Sequence, residues 1–194
     1  MARPKPDPTV LKGREVLVGV TGGIAAYKTA ALVSALVQAG AGVSVVMTEN
    51  ATRFVAPLVF QTLTGRPVHT NLFASAEVYR AEHIALADRA EAAVVAPATA
   101  NCLAKLAHGL ADDLLSTVLL AVDAPVILAP AMNARMWAHP AVRANVETLR
   151  SRGVRLVGPA EGRLACGTTG PGRMAEPEEI LAVLIEIMGG RAKA

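Results

Sequence analysis

A chain of 194 residues with 53% hydrophobic but only 3% aromatic residues and a formal net charge of +3 is long enough for one domain with a sizeable core. That core must be built mainly of Ala, Val, Leu and Ile, the usual material of covered parallel strands. The slight, unclustered charge argues against a nucleic-acid binder and leaves room for a small anionic ligand, and no apolar stretch reaches the roughly 20 residues of a membrane span.

In chain order, the first 13 residues are polar and proline-rich and lack the apolar segment of a signal peptide. They predict a disordered arm and, by default, a cytoplasmic setting. The run EVLVGV (15–20) reads as a strand ending at a Thr-Gly-Gly turn, and the helical spacing that follows is closed by Gly40. GVSVVMT (42–48) reads as a second strand with Thr48 at its end. AAVVAP (92–97) and APVILAP (124–130) are two more strands, each stopped by proline, and the segment between them (99–122) reads as mostly helical. AVRANVETLRSRG (141–153) is an amphipathic helix and VRLVGP (154–159) a further strand. RLACGTTGPGRMAEP (163–177) reads as a loop, and EPEEILAVLIEIM (176–188) as a last helix with an acidic first turn. This alternation predicts an α/β fold, a doubly wound (Rossmann/flavodoxin-like), mostly parallel sheet with helices on both faces. It forms a single domain over 14–188 with a tail at 189–194, and its ligands bind beyond the carboxyl ends of the strands.

Function is therefore sought at strand ends. In VGVTGGIAAYK, Thr21, Gly22 and Gly23 let backbone amides at a helix N-terminus face an anion. G-x-G-x-x-G is absent and Lys28 lacks P-loop spacing, so neither a dinucleotide fingerprint nor a P-loop is present. A tight turn that binds nothing explains the two glycines equally well. Thr48 could donate to the same phosphate, and Glu49 beside it keeps a nicotinamide ribose contact open. APATAN (96–101) places Thr99 and Asn101 where a helix cap belongs, and APAMNARMWAHP (129–140) does the same with Asn133. Capping alone explains each segment. Two such segments at adjacent strand ends favour a shared pocket, where a carboxamide could bind a carboxylate.

Among the four histidines, His83 in AEHIAL draws attention, although a solvated helix histidine is the commoner case; His69, His108 and His139 call for no more than structural roles. The two cysteines make neither a disulfide framework nor a zinc spacing. Cys102 falls on an apolar helix face and reads as core, whereas the polar surroundings of Cys166 leave its thiol open to reaction.

Taken in order, GVTGGIAAYK, MTENATRF, APATAN, PAMNARMWAHP and ACGTTGPGRMAEP resemble the flavin-containing cysteine decarboxylases over roughly residues 14 to 188. The likeness is strongest to members that act on 4′-phosphopantothenoylcysteine in coenzyme A biosynthesis. The resemblance implies FMN, with Thr21, Gly22, Gly23 and Thr48 at the phosphate and ribityl chain and Phe54, Pro97, Ala98, Thr99 and Ala100 along the flavin. It further implies Ser116 and Thr117 near the phosphate, His83 as the active-site histidine, Asn133 on the substrate carboxylate and Cys166 as proton donor. One departure is Asp113, where relatives often carry asparagine.

The implied reaction yields 4′-phosphopantetheine through a thioaldehyde and an enethiol, with electrons returned by the flavin. The implied assembly is a homotrimer or trimer of trimers with the pocket shared between subunits, and no nucleic-acid or membrane partner. The ligase domain of many bacterial relatives has no counterpart here, so the expectation is a decarboxylase working alone. Two alternatives are a peptidyl-cysteine decarboxylase, which would stop at the enethiol and need no Cys166, and a non-catalytic FMN-binding regulatory subunit.

Overall fold

The computed structural model describes residues 7–72, 82–163, 165 and 167–190. Six parallel strands form one sheet: β1 (Glu15–Val20), β2 (Gly42–Met47), β3 (Val68–His69), β4 (Ala92–Ala98), β5 (Val126–Pro130) and β6 (Arg155–Leu156), in the order β3-β2-β1-β4-β5-β6. The direction of winding reverses between β1 and β4. In a doubly wound sheet that reversal opens a crevice at the carboxyl ends of the two strands. Among the described residues, nine helices connect the strands or pack on them: α1 (Ala26–Gln38), α2 (Glu49–Thr52), α3 (Pro57–Thr64), α4 (Glu82–Arg89), α5 (Ala100–His108), α6 (Leu114–Ala121), α7 (Ala134–Ala138), α8 (Pro140–Ser151) and α9 (Pro177–Gly189).

The alternation of side chains along each strand divides the core in two. Val16, Val18 and Val20 of β1, with Val43, Val45 and Met47 of β2, meet α1, α3 and α9 through Leu32, Phe60 and Leu184. Leu17, Val46, Val95 and Leu128 point the other way, against Leu86 of α4, Leu103 of α5, Leu115 of α6 and Leu149 of α8. Helices therefore cover both faces, as the alternating pattern requires. No helix among the described residues is long and apolar enough to cross a membrane.

Several local readings are corrected. Within the predicted arm, Pro8–Leu11 form a 3-10 turn that buries Leu11 completely in the first core. β2 stops at Met47, and Thr48 is instead the N-cap of α2. Pro97 lies inside β4 and does not stop it, because the β4–β5 ladder is irregular between Val95 and Ala98 and needs no N–H there. The helical stretch 99–122 is two helices, parted after His108 where Gly109 takes φ +68° as the C-cap of α5.

The segment read as a loop is largely an antiparallel hairpin, β7 (Ala160–Arg163) and β8 (Thr169–Arg173). Its strands show no apolar alternation because tertiary docking holds it. The Met132 N–H donates to the Gly172 carbonyl at 3.0 Å. A Cβ on Gly172, at φ +150°, would lie 2.2 Å from the Met132 carbonyl oxygen, so only glycine permits the approach.

Candidate active site

A cavity of about 720 Å³ opens where β1, β4 and β5 end, with the hairpin as its far wall. That volume lies within the roughly 300–1,000 Å³ usual for cofactor and small-molecule sites. The position is the crevice that the strand order predicts.

The β1 exit supplies the first wall. Thr21 is 2% exposed. Its hydroxyl donates to the Pro97 carbonyl at 2.6 Å and accepts the Thr99 N–H at 3.2 Å, so it ties the ends of β1 and β4 together and its proton is not available to a phosphate. Gly22 packs on α2, where a Cβ would stand 2.4 Å from that of Asn50. The Gly23 N–H goes to the Thr21 carbonyl at 2.9 Å, while the amides of Gly22, Ile24 and Ala25 meet no acceptor among the described residues. Those amides stand at the start of α1, the place and polarity that suit an anion.

The β4 and β5 exits are matched caps. Thr99 accepts the Cys102 N–H at 3.3 Å to cap α5 and presents Ala100 to the cavity, with Pro97 and Ala98 buried beneath. Asn133 caps α7 by accepting the Arg135 N–H on Oδ1 at 2.8 Å. With Oδ1 accepting in the cap, the donors that the carboxamide carries are those of Nδ2.

The walls are otherwise apolar, from Ile24, Tyr27, Ala131, Met132 and Met136, with a basic rim of Lys28, Arg163 and Arg173. Lys28 Nζ donates to both Glu176 carboxylate oxygens at 2.9 and 3.0 Å, and Arg173 Nη2 lies 3.1 Å from the same carboxylate. The Lys28 hydrogen bonds, reinforced by the nearby Arg173 charge, hold the Glu176 carboxyl below the usual glutamate range.

Of the residues singled out from the sequence, Gly22, Gly23, Thr99, Ala100 and Asn133 line this cavity. Thr48 does not. Its side chain accepts the Ala51 N–H at 3.3 Å, and Phe54 just beyond is half exposed. Ser116 and Thr117 are also elsewhere, and their hydroxyls are already engaged. Ser116 is buried and donates within the Asp113 turn, and Thr117 donates to the Asp113 carbonyl at 2.7 Å. They complete the cap of α6 and lie outside the cavity lining.

Asp113 gains a defined role as that cap, accepting the Ser116 N–H at 2.8 Å and pairing with Lys105 at 2.7 Å. Burial opposes its ionisation, yet Lys105 and Ser116 hold its carboxyl below the ordinary value. Cys102 is core, its thiol pushed up to about 12 by burial and then by Asp113.

His83 stands on α4, away from the cavity lining. Its neighbour Glu82 pairs with His69 on the edge strand β3, and β2, β1 and β4 separate that edge from β5, which delivers Asn133. Cys166 lies outside the described residues; Arg163, Ala165 and Gly167 around it line the cavity. The sequence reading missed Arg163 and Arg173, although both sit in the segment it singled out. It also set Lys28 aside for want of a P-loop, when helical spacing from Gly23 was the useful signal.

The chain matches the Flavoprotein family model over residues 4–189. It is 53% identical over 172 residues to the coenzyme A biosynthesis bifunctional protein CoaBC of Bacillus subtilis, a match that takes in 89% of this chain and 42% of that protein. The chain thus spans less than half the length of this relative. Among solved structures it superposes on SpaF, one of the FMN-dependent cysteine decarboxylases, with a TM-score of 0.81 at 34% identity, covering 93% of this chain and 99% of SpaF. A mutant PPC decarboxylase complexed with pantothenoylaminoethenethiol is similar to the same degree, with a TM-score of 0.81 at 32% identity over 89% of this chain and 97% of that one. A family match that runs almost end to end, on a sheet and crevice of this order, settles where the molecule stands: the chain belongs to the flavoprotein family.

Proposed function

We propose that this chain binds FMN and decarboxylates 4′-phosphopantothenoylcysteine to 4′-phosphopantetheine for coenzyme A biosynthesis, in the cytoplasm. The observation that carries the reading is the convergence, on one cavity, of the amides at the start of α1 with the Asn133 carboxamide at the β5 exit, in a chain 53% identical to part of CoaBC. The site suits a mononucleotide: free amides to meet one phosphate, an alanine and methionine surface for a flat ring, and Asn50 filling the space beside Gly22.

When bound, FMN supplies reversible two-electron chemistry at the sulfur-bearing carbon of the substrate, which gives the departing carboxylate an electron sink that an N-acyl cysteine lacks. The residues do the rest. Asn133 directs Nδ2 donors at the carboxylate and fixes its orientation among apolar walls that exclude water. His83 takes the proton of the substrate thiol. Cys166, whose unperturbed thiol pKa is about 8.5, returns a proton to the enethiol carbon at neutral pH.

One chain does not bring His83 to Asn133. A homotrimer, or a trimer of such trimers, would let His83 of one copy face the cavity of the next. The exposed apolar side chains Ile24, Tyr27, Phe54 and Leu58 suit burial in such an interface. The test is direct: incubate the purified protein with 4′-phosphopantothenoylcysteine and follow carbon dioxide and 4′-phosphopantetheine. A yellow, assembled sample that makes neither product would reject the reading.

A further inference from the structure

Three cations reach the cavity from two sides, Lys28 from α1 and Arg163 and Arg173 from opposite strands of the hairpin. Glu176 is the carboxylate that faces them, bonded to Lys28 at 2.9 and 3.0 Å and to Arg173 at 3.1 Å. Three cations against one carboxylate leave two positive charges in excess. Arg163 is exposed and enters no ion pair among the described residues. The Arg173 side chain crosses Gly162, its Nε 3.3 Å from where a Cβ would stand, and both Arg163 and Arg173 line the cavity.

Against apolar walls, such an excess calls for an incoming anion of nearly matching charge. A phosphomonoester, at about −1.5 to −2 near neutral pH, fits. The substrate carboxylate is already met by Asn133, and the cofactor phosphate by the amides at the start of α1.

We propose that Lys28, Arg163 and Arg173 form the subsite for the substrate's own terminal phosphate, with Arg163 as the residue that selects a phosphorylated pantothenoyl substrate over a peptide ending in cysteine. The inference rests on the decarboxylase reading above and deepens it. Arg163 carries the discrimination because its guanidinium fork has no ion-pair partner among the described residues, whereas Lys28 and Arg173 share Glu176.

The experiment measures binding of 4′-phosphopantothenate and of pantothenate to the FMN-loaded protein by calorimetry; neither carries a cysteine that could react. The wild type should bind the phosphorylated compound at least about tenfold more tightly. Arg163→Gln should remove most of that preference while leaving pantothenate affinity and flavin content unchanged, and Arg163→Lys should restore part of it. Equal binding by the wild type, or an undiminished preference in Arg163→Gln, overturns the subsite. So does loss of flavin from that variant, which would assign the cations to the cofactor's phosphate. Turnover of 4′-phosphopantothenoylcysteine by the wild type is followed separately. Product formation without the binding contrast removes only the subsite, and the contrast without product removes only the reaction.

Discussion

The two ends of the central sheet are finished in opposite ways. At the amino end, Arg14 pairs with Glu91, and Arg66 holds Glu15 through two bonds of 2.6 and 2.8 Å. Each of these carboxylates is held by an arginine. At the carboxyl end, Lys28 and Arg173 share one carboxylate while Arg163 has no ion-pair partner among the described residues, amides at the start of α1 meet no acceptor among those residues, and about 720 Å³ stands open. The contrast follows from the polarity of a parallel sheet: α1, α5 and α7 all begin at the carboxyl ends of β1, β4 and β5, so their positive dipole ends and unbonded N–H groups collect there. Satisfied polar groups stabilise; groups still open to a partner bind. Each substitution below tests which side of that division a residue is on.

The largest effect is expected at His83. Removing a general base costs about 10²–10⁴ in rate, so His83→Asn should suppress turnover to that degree while the protein stays yellow. A variant with full activity would make His83 a bystander. The comparison sharpens when His83→Asn and Asn133→Asp proteins, each strongly impaired, are mixed under conditions that exchange subunits. Recovered activity would place the two side chains in one site built from two copies, and no recovery from verified mixed oligomers would return both to a single chain.

Asn133→Asp comes next. Aspartate is as good an N-cap as asparagine, so α7 should survive. The new carboxylate would face the substrate's own, and like charges brought together cost several kcal/mol, so kcat/KM should fall about 100-fold or more. Steady-state kinetics and a thermal melt together decide it. Unchanged kinetics would mean that the carboxylate is held elsewhere.

This contrast explains what could be read from the sequence. The strand at 15–20 was legible to the residue because a β-branched run ending in Thr-Gly-Gly leaves few other conformations. The caps at Thr99 and Asn133 were legible because short polar side chains after a strand have few uses. The hydroxyls of Thr21, Ser116 and Thr117 were not, since a hydroxyl beside a helix start looks the same whether it serves a ligand or its own turn. Asp113 takes up both hydroxyls of Ser116 and Thr117 on its backbone carbonyl, a contact that depends on the turn geometry and that no spacing reveals. The hairpin was illegible for a related reason. AEGR and TGPGR carry no apolar period, and their pairing depends on a backbone contact to Met132, far away in sequence.

Gly172→Ala tests that contact. The added Cβ would meet the Met132 carbonyl oxygen at 2.2 Å and strain a φ of +150°, a conformation that costs about 1–3 kcal/mol outside glycine. The hairpin should shift from the β5 exit while the sheet stays folded. Displacement of about 1 Å in a positioned group can cost up to about 10²-fold, and a loss near tenfold in kcat/KM is expected here because the hairpin can partly readjust. An active enzyme with wild-type kinetics would show that the hairpin does not position the substrate.

Arg66→Gln at the opposite end should do least, and its pH dependence is the sharpest check on the division. Arg66 hydrogen bonds lower the Glu15 pKa below its ordinary value despite partial burial. A carboxyl depressed in the folded state contributes stability that is present above its unfolded pKa, about 4.3, and is lost as pH falls through the lower folded value. Both side chains are about one-third exposed, so solvent screening keeps the contribution under about 1 kcal/mol. Urea unfolding near neutral pH should therefore show a small deficit in the variant that closes in acid, with kcat/KM unchanged throughout. A catalytic defect in a stably folded Arg66→Gln protein would mean that the amino end of the sheet also serves the reaction.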